Sequence, residues 1–147
     1  MKPIGLCFLV LAAAGFVLSL ASHVAAFQDK LGPLDEYVWT LHFGALLVCI
    51  PAAFAARRLT RGAARNGRWR SALRACPTWM KYGLLITIAY AIVNFAIFFF
   101  TPPKAESTGG MSPQAVRGFS GHWMALYWIA LTLLYANAKT APPVEPR

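Results

Sequence analysis

Residues 57–81 hold eight of the chain's fourteen Lys and Arg side chains and no acid, and an apolar run lies on each side of them. A block of cations between two apolar runs determines which way round a chain sits in a membrane, because the leaflet facing the cytoplasm keeps Lys and Arg beside it. The overall make-up agrees: 58% of the 147 residues are hydrophobic and only 13% are charged, which is too apolar for a soluble domain of this length. The net charge of +9 does not point to nucleic acid, since that needs cations spread over a folded soluble face. Here they crowd one connector.

In chain order, the reading is an all-α integral membrane four-helix bundle forming one domain, with spans at about 4–23, 39–56, 82–100 and 122–138. Each is close to the ~20 residues that cross a ~30 Å hydrocarbon core. The first run has an alternative reading as a cleaved signal peptide, because Val24-Ala25-Ala26 before Phe27 has the small-residue pattern of a cleavage site. Its length, and a stripe of Ala12, Gly15, Ser19, Ser22 and Ala26 spaced three and four apart, favour a retained helix that another helix approaches closely. The connector after it is turn-rich and acidic, with Pro33 suited to the first turn of the next helix and Asp35 and Glu36 near its positive end. Pro51 inside the second span predicts a kink.

The basic connector has two readings. Trp69, Leu73, Cys76 and Met80 recur at helical spacing, as in a short amphipathic helix lying on the headgroups and stopped at Pro77. Gly62 and Gly67 weaken such a helix and favour the second reading, a solvated, positively charged loop. In either case Arg57, Arg58, Arg61, Arg65, Arg68, Arg70, Arg74 and Lys81 face anionic lipid headgroups. In the third span Gly83, Thr87, Tyr90, Asn94 and Thr101 form a stripe that must look into protein. Residues 104–121 read as a connector and 140–147, with Pro142, Pro143 and Pro146, as a flexible tail.

Counting cations beside the spans puts Lys2, the eight of the connector, Lys139 and Arg147 on one side, against Lys30, Lys104 and Arg117 on the other. Both termini and the basic loop are therefore expected in the cytoplasm. Cys7 and Cys49 fall in apolar runs and Cys76 in the basic connector, without C-x-x-C spacing. No disulfide framework is implied, and Cys76 faces a reducing compartment.

No reaction is written in the motifs. Walker, dinucleotide, metalloprotease, nucleophile-elbow and covalent-haem patterns are all missing from the sequence. No acid lies within a span, which counts against a proton-coupled transporter or pump. What remains are His23, His42 and His122, all near the extracytoplasmic ends of spans, with Asn94 on the polar face of the third. If they converge, they form a polar or ligand cluster able to hold a metal or flank a haem; the plainer reading is that each is an interfacial ring bonded to backbone or headgroups. On the second reading no cofactor is bound. The sharp form of the first has His42 and His122 facing each other, with Asn94 nearby and His23 at the rim.

The segment Val116-Arg117-Gly118-Phe119-Ser120-Gly121-His122-Trp123-Met124-Ala125-Leu126-Tyr127 resembles a segment of a group of uncharacterised small bacterial membrane proteins. The stretch 90–100, with Asn94 before its phenylalanines, looks like the third span of that group. The resemblance covers about a third of the chain and implies a four-span bacterial protein with no activity attached. Three functional classes stay open: an accessory or structural protein binding partner helices, a second copy of itself or lipid; a metal- or haem-binding redox protein; and, more weakly, a small-molecule transporter. The first leans away from an enzyme.

Overall fold

The computed structural model describes residues 3–31, 37–102 and 111–140. Pro33, Asp35 and Glu36, the connector around Lys104–Gly110 and the proline-rich tail lie outside the described residues. The described chain is all helical apart from its turns: α1 (Pro3–Phe27), α2 (Val38–Leu59), α3 (Arg68–Ala72), α4 (Thr78–Phe100) and α5 (Pro113–Lys139), with one 3-10 turn at Arg65–Gly67 before α3. Three of them, α1, α2 and α4, are long and apolar enough to cross a membrane.

The fourth long helix stands apart. α5 packs against α1, α4 and α2, whereas α1 and α2 meet along a shorter seam and α4 joins the rest chiefly through α5. From Pro113 to Ala138 no residue of α5 is exposed. The outer three helices show the inverse pattern: Val10, Phe43, Phe54, Ile86, Ile92 and Phe99 are among the large apolar side chains on their exposed faces. An apolar exterior of that extent suits lipid, not water. It also explains why α5 is the less apolar helix. Its neighbours shield it, so it can carry Gln114, Arg117, His122 and Asn137 where a lipid-facing helix could not.

Small residues set how closely the helices approach. The stripe of α1 is its packing face, with Ala12, Ser19, Ser22 and Ala26 all buried. Gly15 of α1 and Gly44 of α2 together leave the space that the Tyr127 ring of α5 fills; a β-carbon at Gly15 would overlap that ring. The phenol then donates to the Leu41 carbonyl at 2.9 Å, so a buried ring keeps its polar tip satisfied. Gly83 of α4 makes the corresponding space for Trp128, whose Nε1–H donates to the Met80 carbonyl at 3.1 Å.

Two boundaries differ from the sequence reading, each for a local reason. α5 begins at Pro113 and not at His122, because Ser112 caps it: its Oγ accepts from the Ala115 N–H at 3.2 Å, with proline at the first helical positions. Serine followed by proline is a helix start, although the same pair reads as a connector. α4 begins at Thr78 with Pro77 as its cap, so Pro77 opens a helix as well as ending the turn before it. α2 continues through Pro51 as one helix.

The basic segment is folded back onto the bundle. Ser71 donates to the Leu59 carbonyl at 2.7 Å and the Cys76 thiol donates to the Thr132 carbonyl at 3.4 Å. Cys76, Met80 and Ala136 form a small buried cluster with Leu73 and Trp128 against it. Trp69, assigned to the same helical face by its spacing, is exposed. The segment therefore combines both readings: its arginines stay exposed, while a short helix forms at α3 and anchors at the base of the bundle, because Ala72 is buried and Leu73 and Cys76 just beyond it pack with Met80, Trp128 and Ala136.

Candidate functional site

Two places gather polar side chains. The first lies at the end opposite the basic segment, where α1, α4 and α5 meet. Asp29 closes α1 with a positive φ of 52°, and the Lys30 N–H returns to the Ala25 carbonyl at 3.0 Å, the left-handed helix ending that an aspartate tolerates. That turn brings the Asp29 carboxylate to within 3.5 Å of the Arg117 guanidinium, which also lies over the Phe27 ring.

Beside it, His23 ties three helices together. Ser120 sits on α5 with its Oγ 3.1 Å from the Arg117 carbonyl, and a carbonyl can only accept, so the serine proton goes there. His23 must then donate from Nδ1 to Ser120 Oγ, at 2.6 Å, which leaves Nε2 to accept from the Tyr90 hydroxyl of α4. The chain of bonds runs from Tyr90 through a neutral imidazole and Ser120 to a backbone carbonyl. A carbonyl passes no proton on, so the arrangement is a clamp. Asn94 works alongside it, donating from Nδ2 to the Arg117 carbonyl at 2.7 Å and the Gly118 carbonyl at 3.1 Å, with Gly121 leaving it room. A pocket of about 440 Å³ opens next to these groups, walled by Phe27, Ile97 and Phe98 and bordered by Tyr90, Asn94 and Arg117.

The other two histidines point elsewhere, which corrects the expected convergence. His42 of α2 accepts at Nδ1 from the Trp123 indole at 3.1 Å. His122 packs its ring edge-on to Phe95 of α4, with centroids 4.5 Å apart, and its buried Nδ1 has no hydrogen-bond partner among the described residues. The cause is helical geometry: Trp123 faces α2, and its predecessor His122 is turned about 100° away toward α4. Asn94 and His23 do border one site, but the three imidazoles occupy three seams. Among the described residues no three His, Cys, Asp or Glu side chains come together as metal ligands.

The second place is at the base. Arg58, Arg61 and Arg74 line a recess of about 760 Å³ together with Lys139 and the hydroxyl-bearing Ser71 and Thr140. Lys139 was legible only as a cation flanking a span; that α5 delivers it to the same recess as three arginines is a tertiary fact. Ser120 and Tyr90 were likewise missed as a pair, although the closely spaced Gly118 and Gly121 on α5 signal a close approach by another helix.

Fold and sites together define an all-α protein with three helices able to cross a membrane, arranged around a fourth that carries the polar side chains. No family model, curated protein or solved structure matches the chain.

Proposed function

We propose that this is a small multi-span protein of a bacterial inner membrane, an accessory or structural protein that binds partner helices or lipid and performs no chemistry of its own. The reading is carried by one observation: large apolar side chains face outward on α1, α2 and α4, while the polar groups of His23, Tyr90, Ser120, Trp123, Tyr127 and Trp128 in the interior are bonded across helices to side chains or backbone carbonyls. Polar groups committed to holding helices together are spent on architecture. In this reading α5 is the fourth span, both termini and the basic segment are cytoplasmic, and the Tyr90–His23–Ser120 clamp lies at the outer side.

A redox centre on His42 and His122 draws no support from rings that face different helices. The test is direct. After alkaline carbonate extraction the protein should stay in the membrane pellet, and the detergent-purified sample should be colourless, without a Soret band or stoichiometric metal. A haem spectrum would overturn the accessory reading, and release by carbonate would overturn the membrane reading.

A further inference from the structure

We infer that the recess formed by Arg58, Arg61, Arg74 and Lys139 is a binding site for one anionic lipid headgroup carrying two phosphates. The inference rests on the membrane reading above and names the ligand of its basic side.

Four cations reach this recess from three separate parts of the chain: the last turn of α2 and the residues just beyond it, the turn after α3, and the last turn of α5. Their ordinary employment would be to cap those helix ends, where the dipole is negative. Hydroxyls already do much of that work. Thr60 donates to the Ala56 carbonyl at 2.8 Å, Ser71 to the Leu59 carbonyl at 2.7 Å and Thr140 to the Ala136 carbonyl at 2.8 Å. Three helix ends supply roughly −0.5 each, which leaves about 2.5 positive charges with no acid beside them among the described residues, although Lys139 also lies over the Tyr135 ring. The only ion pair among the described residues, Arg117 with Asp29, belongs to the opposite end.

The four cations are exposed and open to an incoming anion, and planar guanidinium groups suit the paired oxygens of a phosphate. A balance of about 2.5 charges matches two phosphodiesters better than one. Size agrees: the recess of about 760 Å³ falls in the ~300–1,000 Å³ range of sites for ligands with several functional groups. Its place, at the ends of apolar helices on the basic side, is where headgroups of a membrane lie, and basic recesses between such helices take multiply phosphorylated headgroups. Arg65, Arg68, Arg70 and Lys81 do not line it, so the site is narrower than the basic segment as a whole.

The experiment uses the full chain in nanodiscs of phosphatidylcholine with a small fraction of either cardiolipin, with two phosphates, or phosphatidylglycerol, with one, and counts retained lipid by native mass spectrometry. Cardiolipin should be retained at least tenfold better than phosphatidylglycerol. The double variant Arg58→Gln/Arg74→Gln should lose roughly thirtyfold in cardiolipin retention, two contacts each worth about a factor of five, and the single variant Lys139→Gln about fivefold. Arg65→Gln/Arg70→Gln, which removes the same charge outside the recess, should lose less than threefold, and helical circular dichroism should be alike in all. Equal losses in the two double variants would reduce the site to general charge attraction. Equal retention of the two lipids would overturn the two-phosphate headgroup. Pyrophosphate binding as tightly in pure phosphatidylcholine nanodiscs would assign the recess to a soluble phosphate compound and overturn the lipid. Failure of the chain to enter phosphatidylcholine bilayers at all would instead defeat the membrane reading beneath it.

Discussion

At the scale of single residues, the bundle depends on space left empty in one helix for a ring on another. Leucine at Gly15 must displace Tyr127 or push α1 away from α5, an overpacking penalty of about 1–3 kcal/mol. Gly5→Leu, on the same helix with nothing within 4 Å, should be neutral. Tyr127→Phe removes only the bond to Leu41 and should cost about 0.6 kcal/mol, the typical value between helices in a membrane. Thermal melts of helical signal in detergent rank the three. Cys76 gives a pH dependence: burial pushes its thiol up, with Lys81 pulling the other way to a smaller degree. A raised thiol stabilises the folded state below the unfolded thiol pKa of about 8.5, and that stability is lost as pH rises through the folded value. Cys76→Ala should therefore flatten the fall in melting temperature between about pH 8 and pH 10. An unchanged slope would show that the thiol ionises alike in both states.

At the scale of elements, α1 and α5 solve opposite problems. α1 is apolar with a narrow stripe of small residues, so lipid accepts most of its surface. α5 carries Gln114, Arg117, His122 and Asn137, and a charged or amide side chain resists insertion when no helix shields it. In a translocon insertion assay with each helix placed alone in a reporter, α1 and α4 should insert efficiently. α5 should insert poorly, and improve when α4 precedes it in the same reporter, because Asn94 and Gly118 then meet. Efficient insertion of α5 alone would mean that its packing is not what holds it in the bilayer.

At the scale of the whole molecule, the two ends differ in kind: a clamp of neutral side chains with one ion pair at one end, and at the other a recess of cations with no acid beside them among the described residues. Such asymmetry predicts one orientation in the membrane. On the proposed orientation, alkaline phosphatase fused after Gly110 should be active and fused after Gly67 inactive. The reverse pattern would overturn the assignment of every loop. Retention of α1 belongs to the same argument, since its loss would uncover the seam of Ser19, Ser22 and Ala26 and break the clamp at His23.

How much of this was legible in the sequence follows from what each feature needs in order to exist. Apolar length and the position of cations are properties of a segment by itself, so the helical class, three apolar helices and the basic segment between two of them could be read directly. So could the packing stripe of α1, because small residues spaced three and four apart lie on one face whatever they meet. The start of α5 was also local, written in Ser112-Pro113, and was misread because a proline after a serine serves a turn and a helix cap equally well. Which helix is central, which ring enters which glycine gap, and where the histidines point depend on the rotation of each helix about its own axis. That rotation is decided only by the fit of several helices at once: Trp123 meeting His42 sends His122 to Phe95, Ser120 meeting His23 brings Tyr90 with it, and Lys139 joins three arginines from distant parts of the chain. The first kind of fact is set by the transfer of one segment between water and lipid; the second is set by packing between segments, which no single segment contains.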